Sequence, residues 1–310
     1  FVGNAAYEGG NIIGGSLGLA ALTGETDTGY WPLFIGIAAI FLLAAGKLKW
    51  LEKLLIGMVV LMSLSFMAAL FVTRPDFGAL FAGFVPSIPD GAALNAMALI
   101  GTTIVPYNLF LQAGTTLRHW GRNQVDEAAF ESGISIGLGG LVSMAIVATA
   151  ASAIFGTGQT IENAVDMAKQ IEPLYGEFAR IALGLGLLGA GLTSAITAPL
   201  ATGYIVSEIW RSGDQKMRDR RMRWTAMVIA IIGTVVASAG YKPVEVILLA
   251  QVANGIALPF VAFFLLWIVN RKDIMQEYRI GKAHLAAGWL VALICLGLGI
   301  RALSSAFGLI

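Results

Sequence analysis

Charge is scarce in this chain. Asp, Glu, Lys and Arg make up 13% of 310 residues against 57% hydrophobic ones, and the mean hydropathy is +0.78, which excludes an ordinary soluble domain. Cysteine is scarcer still: with Cys295 alone, no disulfide can form within the chain and no thiolate cluster can hold a metal. The two histidines, His119 and His284, are far apart in sequence, and neither stands at metal-ligand spacing from an acid. The composition therefore reads as a membrane protein, not an enzyme, with no cofactor. The period-two alternation of a β-barrel is also missing, which leaves an all-α, polytopic architecture. No basic leader with a cleavage site precedes the first apolar run; the chain opens at Phe1 and reads as one whose start is missing.

Nine largely uncharged runs follow one another: 5–22, interrupted only by Glu8, then 28–46, 54–73, 91–117, 134–161, 181–207, 224–241, 246–270 and 283–300. Each is long enough to cross about 30 Å of hydrocarbon as helix. The 38 glycines, grouped in stretches such as "GGNIIGGSLG" and "LGLGLLGAGL", suit helices that approach closely in lipid. Basic residues fall in alternate loops: Lys47, Lys49 and Lys53; Arg118 and Arg122; the cluster from Arg211 to Arg223; and Arg271, Lys272, Arg279 and Lys282. The loops between them, such as "GETDTG" and "GQTIENAVDMAKQIEPLYGE", are acidic or bare. Cytoplasmic loops collect Lys and Arg, so these four are expected inside and the C-terminus outside, as in a bacterial plasma membrane. Topology accounts for the Arg-rich loop without a nucleic-acid partner.

The run 91–117 contains "TTIVPYNLFLQ", whose polar groups an apolar helix does not need. Pro106 has no N–H and its ring clashes with the carbonyl one turn back, so a helix must kink or unwind there. In lipid the freed carbonyls need protein or water as partners. Thr102, Thr103, Tyr107, Asn108 and Gln112 are expected to face one cavity with them; the alternative is a packing kink with polar groups as interhelical glue. Gln251 and Asn254 stand one turn apart in "LLAQVANGIALPF", and Glu8 and Asn11 share a helix face at i and i+3. A carboxylate inside a spanning helix points to function. Polar groups spread over several helices point to a transport pathway.

At these residues the chain resembles the Nramp family of divalent metal transporters. The family's sixth-helix pattern is met by Pro106, Asn108, Leu109 and Leu111; its eighth-helix pattern by Gly191, Leu192, Ser194, Thr197, Leu200, Ala201, Val206 and Glu208; its tenth-helix pattern by Gln251, Val252, Leu258, Pro259 and Phe260. The resemblance implies a LeuT-like inverted-repeat fold in one transmembrane domain over 1–310. Its nine transmembrane helices are equivalent to helices three to eleven: 1–73 ends the first repeat, 92–270 forms the second, and 283–309 is an extra C-terminal helix. It implies a metal ion as transported substrate, protons as a possible second substrate, and the bilayer as partner, and leaves the oligomeric state open. Thr102, Val105 and Gln251 take the metal-site positions; Thr103, Pro106, Tyr107, Asn108, Gln112 and Asn254 take the pathway. Glu8 and Asn11 occupy a carboxylate pair tied to proton movement, with Arg220 and Arg221 approximating the family's basic pair.

The departures bear on which ion is moved. The family's first-helix Asp-Pro-Gly-Asn motif is nowhere in the sequence, so half of the site is expected to be missing and a chain of this extent to be inactive alone. Val105 stands where the family has a methionine, Thr102 where it has an alanine, Tyr107 where it has a histidine, and Asn11 where it has a second carboxylate. A thioether favours later transition metals, whereas carbonyl, carboxylate and water suit magnesium and manganese. These changes resemble the magnesium-transporting branch related to Nramp, in which the ion keeps more of its water. The expectation is a divalent cation transporter that admits Mg2+. The alternatives are a proton-coupled Mn2+/Fe2+ importer and a sensor or scaffold that keeps the fold without transport.

Overall fold

A computed structural model describes residues 2–45, 49–85, 87, 92–103, 105, 107–110, 112, 116, 124–158, 160–210 and 214–306. Among them regular structure is helical throughout: α1 (Val2–Thr23), α2 (Trp31–Ala45), α3 (Lys49–Val72), α4 (Phe77–Ala82), α5 (Ala93–Thr103), α6 (Val125–Ile154), α7 (Ala164–Ala168), α8 (Glu172–Tyr175), α9 (Ala179–Ile209), α10 (Gln215–Ala237), α11 (Pro243–Asn270), α12 (Lys272–Met275) and α13 (Lys282–Ala306). Helix covers each of the nine expected segments in whole or in part.

Six helices among the described residues are long and apolar enough to cross a membrane: Lys53–Val72, Ala93–Phe110, Val125–Ile154, Glu172–Ile209, Pro243–Asn270 and Lys282–Arg301. The protein is an integral membrane protein. The count falls below nine for identifiable reasons. Polar Asn4, Glu8 and Asn11 and several glycines dilute α1, α2 has only 15 residues, and α10 opens with arginine-bearing turns, so its uncharged part starts at Trp224. The segment expected to run to 161 stops at Ile154, because Gly156 and Gly158 take φ of +78° and +71°, where a helix cannot continue. The connection beyond them carries α7, whose N-cap Asn163 accepts the Asp166 N–H at 3.0 Å.

The chain forms two compact units, 1–86 with 110–247, and 87–109 with 248–310. This grouping cuts across the expected division into repeats, since it gathers helices by packing rather than by chain order. In the first unit α1 and α9 cross as the central pair, with α10, α2 and α3 around them. Ile12, Ile13, Leu17 and Ala21 of α1 pack with Ile35 and Ala39 of α2 and Ala195 of α9. Phe66 and Ala69 of α3 pack with Ala179 and Leu183 of α9 and with Ile171 before α8. The crossing is a backbone approach: a Cβ on Gly18 would lie 2.7 Å from the Gly184 oxygen and 2.9 Å from Leu188 Cα, and one on Gly191 2.6 Å from Gly15 Cα. In the second unit α5 lies on α13, and Gly288 of α13 receives Leu266 of α11.

Overpacking a filled interior costs about 1–3 kcal/mol. Gly18→Val is therefore expected to lower the thermal midpoint of the detergent-solubilised protein by several degrees, whereas Gly14→Ala, whose Cβ meets nothing within 4 Å, leaves it unchanged or raised. Melting followed by size-exclusion chromatography measures both.

Candidate cation-binding site

Helix α5 ends at Thr103, Val105 is outside regular structure, and helix resumes at 107. The sequence of the break explains it: the Thr102 carbonyl would need the N–H of the residue four on, and Pro106 has none. Pro106 itself lies outside the described residues. Val105 is 4% exposed, and its backbone oxygen accepts the Asn108 N–H at 3.0 Å, closing the first turn of the new helix. The two later prolines do not have this effect. Pro199 lies inside α9 and Pro259 inside α11, and both helices continue through them.

The expected polar set divides at this break. Tyr107 is buried; Thr102, Thr103 and Asn108 are exposed. The Thr102 hydroxyl donates to Ala98 O at 3.0 Å and that of Thr103 to Leu99 O at 2.8 Å, the i−4 back-bonding usual for helical threonines. Each hydroxyl oxygen keeps lone pairs to offer. Gln112 belongs to the other unit, where its amide donates to Ser132 Oγ at 3.1 Å, so it is tied to α6.

Helix α11 supplies the neighbouring groups. A Cβ on Gly101 would stand 1.9 Å from the backbone oxygen of Gln251 and 2.6 Å from Gly255 N; one on Gly255 would stand 2.6 Å from Met97 O. Bare backbone on both helices thus brings the Gln251 main chain against the last turn of α5 at Gly101. Gln251 Oε1 and Asn254 Nδ2 are buried with no hydrogen-bond partner among the described residues. Buried polar atoms in native proteins are almost always bonded, so two orphans one turn apart on α11 mark a place for water or an ion. The oxygens offered here are neutral, and among the described residues no three His, Cys, Asp or Glu side chains come together. Sequence reasoning picked out Gln251 and Asn254 from their polarity; it missed Gly101 and Gly255, whose only signal is absence of a side chain at the level of the break.

Glu8 lies in the first unit. It is fully buried, with its Cγ and Cβ over Gly233 of α10, where an added Cβ would overlap them. Asn11 donates to Glu8 Oε2 at 3.1 Å, and Glu8 Oε1 has no partner among the described residues. Arg220 and Arg221 are not brought to this carboxylate. Both are exposed in the first turns of α10, and Gly233 lies thirteen residues further along the helix, about 20 Å of axial rise. Arg221 instead donates to Trp210 O at 2.6 Å, and Arg218 stands 3.9 Å from Glu208, which together tie the end of α9 to the start of α10. A third polar residue on the same stripe of α1 went unremarked in the sequence: Asn4, one turn before Glu8, donates to Thr202 Oγ1 and Ala198 O of α9. Its spacing to Glu8 was the available signal.

A family model described as "Natural resistance-associated macrophage protein-like" matches residues 1–305. Among curated proteins, the chain is similar to divalent metal cation transporters MntH. It is 27% identical to that of Deinococcus radiodurans over 305 residues, covering 93% of this chain and 67% of the relative. It is 29% identical to that of Yersinia pestis over 298 residues, with 93% and 70% covered, and 27% identical to that of Acidiphilium cryptum over 314 residues, with 96% and 70% covered. The family model spans nearly the whole chain, and the chain belongs to the Nramp family.

Proposed function

We propose that this protein is a secondary transporter of divalent metal cations, with Thr102, the Val105 main chain and Gln251 contributing to the cation site. The observation that carries this reading is the orphaned Gln251 Oε1 on a helix packed at Gly101 against the end of α5, where the sequence offers the Thr102 carbonyl only Pro106, which has no N–H. A dication supplies what both oxygens lack, as in transporters whose cation sites are built from unwound carbonyls. Thr103, Pro106, Tyr107, Asn108, Gln112 and Asn254 belong to the pathway on this reading, and the metal is cargo rather than cofactor. The loops rich in Lys and Arg face the cytoplasm of a bacterial cell.

The donor set favours hard cations. Carbonyl, amide and hydroxyl oxygens suit magnesium and manganese, and Val105 offers no lone pair where a thioether would select softer metals. Magnesium therefore belongs among the ions moved. A manganese- and iron-selective importer is the second reading, and the relatives described as divalent metal cation transporters support it equally well. In proteoliposomes carrying the protein, Mg2+ uptake is expected to exceed that of empty vesicles, and Val105→Met to reduce the ratio of Mg2+ to Mn2+ uptake at least threefold. Magnesium uptake equal to the empty-vesicle background defeats the hard-cation reading.

Glu8 and Asn11 form the proposed proton pathway, without Arg220 and Arg221 as contact partners. Proton movement through Glu8 predicts that Glu8→Gln abolishes the internal acidification accompanying metal entry while metal entry itself persists. A pH-sensitive dye trapped in the vesicles records the difference, and unchanged acidification removes Glu8 from the pathway.

A further inference from the structure

Two of the buried side-chain amides in the first unit are accounted for. Asn4 donates across to Thr202 and Asn11 donates to Glu8, which is how polar residues glue helices together in lipid. Asn254 is 1% exposed, and its amide nitrogen has no partner among the described residues. It is therefore not glue of that kind. Nor is it remote from the cation site: Gln251 precedes it by three residues on the same helix, and Gly255 beside it is pressed against Met97 of α5.

We infer that Asn254 is a specificity-determining residue that holds a water of the cation's hydration shell, so that the site favours ions which keep their water. This rests on the reading of Gln251 as a cation ligand. The spacing supports an outer position. Three residues of helix advance about 4.5 Å along the axis. An ion-to-water distance of about 2.1 Å followed by a hydrogen bond of about 2.9 Å spans about 5 Å. If Gln251 touches the ion, Asn254 is at the right level for a bound water and one shell too far for the ion itself. A cation-bound water donates its protons outward, and half a turn of the amide about Cβ–Cγ presents Oδ1 to receive one. Groups beyond the ligands that orient such contacts commonly set affinity. Among divalent ions magnesium gives up water most reluctantly, so it gains most from an acceptor placed there.

The test measures Mg2+ and Mn2+ uptake, each metal supplied alone, into proteoliposomes of wild type, Asn254→Leu and Asn254→Asp. Asn254→Leu is expected to lower Mg2+ uptake at least tenfold and Mn2+ uptake less than threefold. Asn254→Asp retains an acceptor oxygen and is expected to keep Mg2+ uptake within threefold of wild type. Equal loss of both ions in both variants, or no loss in Asn254→Leu, overturns the inference while leaving divalent transport standing. A wild type that moves Mn2+ alone overturns it as well. A wild type that moves neither ion overturns the transport reading on which it rests. Should Asn254→Leu fail to fold, Asn254→Asp decides: a fall of both ions together assigns the residue to packing.

Discussion

A main-chain carbonyl inside a membrane has no water to turn to, and at Thr102 the sequence withholds the one N–H that a continuous helix would supply. Pro106 makes that omission irreversible. The consequences run outward. Helix α5 stops at Thr103, Val105 is outside regular structure, and helix resumes at 107 with Val105 O accepting from Asn108. Non-helical backbone at this depth survives only against protein or a wet cavity. The same residue type at Pro199 and Pro259 lies within unbroken α9 and α11, so proline alone does not dictate a break. On the turn that ends, Thr102 and Thr103 bond back to Ala98 and Leu99, and Gly101 admits the backbone of α11.

Glycine is the other half of this construction. Helices in lipid gain little from apolar contact with each other, since lipid tails are equally apolar, so they hold together where backbones can approach. Gly18 and Gly191 allow it between α1 and α9, Gly233 lets α10 close over Glu8, and Gly101 and Gly255 allow it between α5 and α11. The first pair serves packing. On the proposed reading the last also shapes the cation site, because the residues flanking it are Thr102, Gln251 and Asn254. A side chain as small as alanine at Gly101 would overlap the Gln251 backbone oxygen and push α11 away from the end of α5.

Much of this was legible in the sequence for physical reasons. Uncharged runs, alternate basic loops and a proline amid polar residues are each forced by the bilayer, and each located an element: the helices, the class of protein and the break after Thr103. Gln251 and Asn254 stood out because amides are costly in apolar helices. Less legible were features set by three-dimensional approach. Nothing in the composition of 134–161 tells that Gly156 and Gly158 adopt positive φ rather than pack inside a helix, and the span ends at Ile154 because they do. Similarly, Arg220 and Arg221 follow the family's pattern in sequence, yet helical rise carries them about 20 Å from the level of Glu8.

That separation changes how the buried carboxylate is accommodated. A charge pair taken out of water compensates itself only with close geometry, and no cation is brought to Glu8 among the described contacts. Its neighbours are the Asn11 amide on one oxygen, Gly233 under the methylenes, and no bonded partner on Oε1. Asn4, four residues before, is meanwhile fixed to Thr202. The α1 stripe thus passes from a bonded amide, through a half-bonded carboxylate, to an amide that serves the carboxylate. An unsatisfied oxygen in this position is expensive to maintain, and packing alone gives no reason to keep it, since a leucine would fill the space above Gly233 without leaving an orphan. Orphan oxygens on Glu8 and Gln251 thus occur in both units among the described residues, and on the proposed reading a proton serves the first and a cation the second.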